Sequence, residues 1–200
     1  MGILDLVFPK RCINCKTLGD YLCPSCFSYL SFNTKSLCLV CGKQSFSGLT
    51  HKKCKGKYTI DGCFSALKYN HIARKLIFQF KNKPYLLDLQ DFLSELFYES
   101  LIQNEGFVKL IQKRNYVFIP IPLSSKEYRK RGYNQAQILA KKMSQKFKIK
   151  VLDIKNIDKN ISNTFLIDDV IKTGKTLKVT AEILKRKGVK KVFGLIFAGN

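Results

Sequence analysis

The sequence predicts an α/β protein in which a small, cysteine-dense N-terminal unit precedes a larger domain built on a largely parallel sheet. Three observations carry this. Seven of the eight cysteines fall before residue 55, and six of them form C-x-x-C pairs. From Tyr58 onward, short apolar runs alternate with segments of helical periodicity, which is the order of successive strand–helix units. Thr164 to Leu177 reads as an apolar strand that ends in two carboxylates and turns through Thr, Gly and Lys into a helix.

The first unit spans residues 1–57 and is too poor in apolar periodicity to fold on packing alone, so a metal must supply the missing stability. Two cysteines separated by two residues form a knuckle that presents both thiolates to one tetrahedral zinc ion. The pairs are Cys12/Cys15, Cys23/Cys26 and Cys38/Cys41, and His51-Lys52-Lys53-Cys54 keeps the same gap with histidine as the first ligand. Eight ligands make two zinc sites. The sequential arrangement puts Cys12, Cys15, Cys23 and Cys26 on one ion and Cys38, Cys41, His51 and Cys54 on the other; an interleaved arrangement uses the same residues. Clustering of this kind favours metal over disulfides in a reducing compartment.

Residues 58–200 form the second unit. Gly62 to Tyr69 reads as a strand in which Cys63, without a partner at ligand spacing, is a buried thiol. Ile72, Leu76, Ile77 and Phe80 mark an amphipathic helix that begins near a solvent-facing His71 and is stopped by Asn82-Lys83-Pro84, and a longer helix runs from about Asp88 to Gln103. Tyr116 to Leu123 is a strand closed by two prolines. It leads into a basic loop with Lys126, Arg129, Lys130 and Arg131, and then into a helix marked by Ala136, Leu139, Ala140, Met143 and Phe147. Lys148 to Ile154 suggests another strand. Leu177, Ala181 and Leu184 line a helix stopped by Gly188, and Lys191 to Ala198 is a last buried strand.

In an open parallel sheet, ligands bind at the C-terminal edge of the strands. Asp168 and Asp169 stand at such an edge, followed by Lys172, Thr173, Gly174, Lys175 and Thr176 at the start of a helix. Amides at a helix N-terminus and threonine hydroxyls suit a phosphate, and glycine lets the backbone come close to it. Carboxylates accept hydrogen bonds and repel phosphate, so the two acids suit the vicinal hydroxyls of a ribose whose 5′-phosphate lies in the turn. A nucleotide P-loop is the rival reading, but the position that motif gives to its first glycine is Asp169 here. Arg129 and Arg131 reach the same sheet edge and suit a pyrophosphate or a nucleic-acid backbone.

The formal charge is +22, from 36 basic and 14 acidic residues, but only six of the basic residues are arginine and the positives are spread along the chain. That balance fits solvated lysine faces as well as a polyanion-binding surface. No apolar run reaches the roughly eighteen residues of a membrane span, and Met1 to Pro9 has no basic start and is interrupted by Asp5. A cytoplasmic protein without membrane insertion is expected.

The cysteine pairs, Ile119-Pro120-Ile121-Pro122-Leu123, Arg131-Gly132-Tyr133-Asn134-Gln135, and the two acids before Thr173-Gly174-Lys175-Thr176 together resemble the ComF family of competence and DNA-uptake proteins. Tyr69, Arg74, Leu76, Ile77 and Lys81 also fit that family's Y-x-x-x-x-R-x-L-I-x-x-x-K pattern. The resemblance implies a double zinc ribbon joined to a type I phosphoribosyltransferase-like domain that binds phosphoribosyl pyrophosphate (PRPP) or a related phosphosugar with Mg²⁺. It also implies a part in handling single-stranded DNA beside an uptake machinery. The chain departs from the pattern in three places: only about 35 residues separate Gly132 from Asp168, where the family usually has more, His51 replaces a usual cysteine, and Lys172 and Lys175 replace neutral residues. Two other functions follow from the same residues. An active phosphoribosyltransferase would use Asp168 and Asp169 as catalytic carboxylates that favour positive charge developing at the anomeric carbon. A zinc-containing nucleic-acid-binding module would leave the phosphosugar site without a ligand.

Overall fold

The computed structural model describes residues 9–32, 36–83, 86–112, 115–158 and 160–199. The reading of residues 1–8 as no leader, and of Pro84 as a helix stop, lies outside them. In the N-terminal part, both knuckles of the C-x-x-C type that begin a ribbon use the same turn. Cys12 N donates to Thr17 O and Lys16 N to Cys12 O; Cys38 N donates to Lys43 O and Gly42 N to Cys38 O. The chain reverses at a left-handed residue four after the first cysteine, Lys16 in one knuckle and Gly42 in the other, and antiparallel bridges Arg11–Leu18 and Leu37–Gln44 close the two hairpins. A one-turn helix α1 (Pro24–Phe27) follows the second pair of cysteines.

The larger part holds strands β1 (Gly62–Lys68), β2 (Tyr116–Pro120), β3 (Asn163–Val170) and β4 (Lys191–Gly199) in the order β1-β4-β3-β2, all parallel. Its helices are α2 (His71–Asn82), α3 (Leu87–Ile102), α4 (Glu105–Ile111), α5 (Ser125–Arg131), α6 (Gln135–Phe147) and α7 (Lys175–Arg186). The double zinc ribbon followed by an α/β part with a parallel sheet is the expected class.

Alternation along β3 sorts the two layers. Phe165 and Ile167 point into the core beneath α2, α3 and α6, with Phe64, Leu76, Phe97, Leu139 and Phe197. Leu166 points to the other face, where α7 buries Leu177, Ala181 and Leu184 against Ile119 and Ile196. The first core also takes in Cys12, Ile13, Leu22, Cys26 and Leu30, so the first zinc knuckles and the sheet share one apolar interior. Phe165 is its centre: fully buried, with ring centroids of Phe107, Tyr116, Phe118 and Phe193 between 4.4 and 6.1 Å away. Phe165→Ala should therefore cost about 3–5 kcal/mol, from lost transfer energy plus an unfilled cavity. A urea titration that leaves the unfolding midpoint unmoved would refute this.

Two local expectations change. Residues 148–154 form no extended strand: Lys148 is left-handed and ends α6, and only Val151 bridges β2, at Phe118. The basic loop of residues 124–131 is helix α5. The Ser124 hydroxyl accepts from Glu127 N and donates to the Glu127 carboxylate, and Gly132 at φ 76° ends the turn, so a capping box and a glycine stop outweigh like-charge repulsion along the helix. Helix α4, begun by the Asn104 side chain accepting from Phe107 N, was not anticipated.

Candidate functional site

Strand β3 carries Asp168 and Asp169 to the C-terminal sheet edge, and the chain then turns through Gly174, at φ 68°, into α7. No side-chain oxygen caps α7; among its first amides Lys175 N lies 3.4 Å from Thr173 Oγ1. Helices α2 and α6 have their first turns capped by Asn70 and Asn134, whereas α3, like α7, has no side-chain cap. The start of α7 thus keeps donors for an outside acceptor, where the macrodipole also favours an anion.

This turn opens onto a cavity of about 480 Å³. Lys172, Thr173, Gly174, Lys175 and Thr176 line it with Asp168 on one side, and Tyr69, Arg74, Ile77, Phe78 and Lys81 face them. Asp169 lies just behind, buried, with its carboxylate 2.6 Å from Lys81 Nζ. Asp168 has a different environment. Burial first, and the neighbouring Asp169 charge second, push its carboxyl up to about 7, against the pull of Lys81. The two adjacent acids therefore differ in setting: Asp169 is paired with the Lys81 cation, while Asp168 faces the cavity with its carboxyl pushed up toward neutral pH.

Seven of the nine residues expected at this site come together here, Asp169 through Lys81. Arg129 and Arg131 do not. Arg129 is exposed on α5, and Arg131 donates to Glu127 and to Gln135 Oε1 at 3.2 Å; neither lines the cavity. Their place facing the Lys172–Thr176 turn is taken by Arg74 and Lys81 of α2. The signal for these was present in the spacing. Arg74, Ile77, Phe78 and Lys81 fall at i, i+3, i+4 and i+7, one helical face beside the buried stripe.

The eight metal ligands gather into two groups, Cys12/Cys15/Cys23/Cys26 and Cys38/Cys41/His51/Cys54, with ligand atoms within 4.8 Å of one another in each. Sequential pairing is therefore the arrangement the fold makes. Four sulfurs at about 2.3 Å from a tetrahedral zinc lie about 3.8 Å apart, and Cys15 Sγ to Cys23 Sγ is 3.5 Å and Cys41 Sγ to His51 Nδ1 3.3 Å. The other imidazole nitrogen, Nε2, is 2.9 Å from Gln44 O, which fixes the ring for coordination through Nδ1. Burial pushes the Cys12 thiol up, but amide hydrogen bonds from Cys23, Cys15 and Asn14 outweigh it and hold it at about 6; amides of Cys41, His51 and Val40 do the same for Cys38. Such donors suit thiolate ligands. Cys63 is the contrary case, a buried thiol pushed up to about 12 that belongs to neither group.

Comparison with known proteins bears on both halves. Residues 3–55 match the double zinc ribbon domain family. Competence protein ComFC of Bacillus subtilis is 26% identical over an alignment 198 positions long, which covers 84% of this chain and 80% of that protein. Competence protein F of Haemophilus influenzae is 24% identical over an alignment 221 positions long, covering 86% of this chain and 94% of that protein. Both relatives are competence proteins, and the chain is similar to each along most of its length. In this chain the second cysteine knuckle and the sheet edge are in contact. A Cβ added to Gly174 would stand 3.4 Å from Leu39, which lies inside the Cys38–Cys41 knuckle. Among the described residues, no helix is long and apolar enough to cross a membrane.

Proposed function

We propose that the sheet-edge cavity binds PRPP or a closely related phosphosugar with Mg²⁺, and that the protein acts in the cytoplasm as a competence accessory that assists the handling of single-stranded DNA. The observation that carries the ligand reading is the pairing of an uncapped helix start with Asp168 on one cavity wall, backed by Asp169 and its partner Lys81. The 5′-phosphate would lie against Gly174, the Thr173 and Thr176 hydroxyls and the first amides of α7. Asp168 would accept from the ribose hydroxyls. Lys81 and Arg74 face the phosphate turn and would take the remaining negative charge of a pyrophosphate. Mg²⁺ favours one or two carboxylates together with phosphate oxygens and water. Asp168 fits that part because it faces the cavity, whereas Asp169 is engaged by Lys81. The ion would supply neutralisation of the phosphates. The competence part of the reading rests on the names of the two relatives and on a net charge of +22, which suits a polyanionic partner.

Isothermal titration of PRPP in the presence of Mg²⁺ tests the ligand. Wild type should bind, and Asp168→Asn or Lys81→Met should weaken binding by about tenfold or more, the scale of one charge-assisted hydrogen bond. No heat with wild type, or equal affinity in both variants, would sink the reading. Pyrophosphate release in the same samples separates a ligand-binding protein from an active phosphoribosyltransferase.

A further inference from the structure

The phosphosugar cavity does not end at Arg74 and Phe78. Both residues also line a second cavity of about 780 Å³ on the adjoining face of α2, whose opposite wall is the first zinc knuckle. Its cations are Arg11 and Lys16 from the knuckle, Arg74 and Lys75 from α2 and Lys83 just after it. Among the described residues, no carboxylate lines it and none of these five cations makes an ion pair. Lys75 Nζ donates to Asn14 Oδ1 and Lys16 Nζ to Ile13 O, neutral acceptors that orient the ammonium groups and leave their charge uncompensated. At the junction of the two cavities stands Phe78, 67% exposed, although the helix buries its neighbours Ile77 and Phe80. A cationic groove with an open aromatic face is the arrangement that tracks a sugar–phosphate backbone and stacks a base.

We infer that the two cavities form one groove for the 3′-terminal stretch of a single-stranded nucleic acid, with the last nucleotide in the phosphosugar cavity and the preceding ones running past Phe78 along the cations. The inference rests on the reading of residues 168–176 as a phosphosugar site. Polarity follows from the chemistry of its two walls. The turn before α7 takes phosphate, and the acids accept from hydroxyls and repel phosphate. A nucleotide whose own 5′-phosphate lies in the turn must then present a free 3′-hydroxyl to Asp168, so the strand leaves through its 5′-phosphate. A 5′-terminal nucleotide in the same place would set its 3′-phosphodiester against the acids.

Fluorescence anisotropy with the full zinc-loaded chain tests this, using short 5′-labelled oligothymidylates that end in a 3′-hydroxyl or a 3′-phosphate. At about pH 8, where Asp168 is ionised, the 3′-phosphate should weaken binding by about tenfold or more. Phe78→Ala should weaken binding of the 3′-hydroxyl strand by about fivefold or more, the effect of one lost base stack. Arg11→Gln/Lys16→Gln should reduce the salt dependence by about two counterions. Oligouridylates of the same length separate RNA from DNA as the strand, and a 3′-end preference in either supports the groove. Equal affinity for the two ends, no strand binding, or full affinity in Phe78→Ala overturns it. If the end preference holds while PRPP neither binds nor competes, the PRPP reading falls and the groove stands; if PRPP binds without an end preference, the reverse is true.

Discussion

Removal of the two zinc ions should unfold the N-terminal fifty residues, lower the stability of the sheet and loosen the phosphate turn. In small zinc modules each structural zinc contributes apparent energies of about 10–16 kcal/mol, far more than this unit's few apolar contacts replace. The effect reaches the sheet because Cys12, Ile13, Leu22, Cys26 and Leu30 belong to the same buried cluster as Phe64, Leu76 and Phe80. Backbone ties cross the same boundary: Lys68 N donates to Ser31 O, and Asn70 Nδ2, from the residue that caps α2, donates to Tyr29 O. Loss of even about 4 kcal/mol from a chain of this length moves the thermal midpoint by roughly 10 °C. The two sites should differ in reach. Cys15→Ser disturbs the wall of the basic groove, whereas Cys41→Ser disturbs the knuckle whose Leu39 lies against Gly174, so only the second should weaken phosphosugar binding strongly. Metal analysis, scanning calorimetry with and without chelator, and titration of the two variants check this. A chelated, zinc-free chain that melts at the wild-type temperature would disprove it.

Much of this site is legible in the chain because it is built from local signals. Asp168 to Thr176 lies on one strand, one turn and one helix start, so adjacency in sequence is adjacency in space. The zinc ligands are legible for the same reason: each knuckle is a local turn, and spacing alone fixes the geometry of a pair. How the pairs combine is less so, because that depends on how the hairpins fold onto one another. The opposite wall of the cavity was harder to assign. Arg74 and Lys81 precede the acids by about ninety residues and meet them only because β1 pairs with β4 and β4 with β3, which brings α2 over the end of β3. Arg129 and Arg131 mislead for the converse reason. They follow β2, which ends at the correct sheet edge, but the capping box turns their segment into a helix whose charges face solvent and Glu127. In a parallel sheet, strand order decides which loops share a site, and strand order is a property of the whole chain.

Replacement of Asp168 by asparagine should stabilise the ligand-free protein at alkaline pH while removing its capacity to bind. The carboxyl titrates at about 7 in the folded chain, against the usual 3.8, because burial and Asp169 both disfavour its charge. Over that interval the folded state holds a proton that the unfolded state has released, so stability falls as pH rises from about 4 to about 7 and stays reduced above it. The difference between the two values corresponds to on the order of 4 kcal/mol at pH 8. Asparagine is nearly the same size and its oxygen can keep the hydrogen bond that Asp168 Oδ1 accepts from Asp169 N at 2.8 Å. It carries no charge to bury beside Asp169. The gain of Asp168→Asn over wild type should thus be near zero at about pH 4 and reach several kcal/mol at about pH 8, with the comparison at each pH cancelling all other titrations. Mg²⁺ should narrow the gap at high pH by stabilising wild type alone, since a cation relieves the repulsion that the asparagine variant lacks. A gain that is the same at both pH values, or a loss at alkaline pH, would show that Asp168 is not held in a strained ionisation state. The expected pattern would mark it as a residue kept for its ligand at the expense of the fold, which is how stability and function part at a binding site.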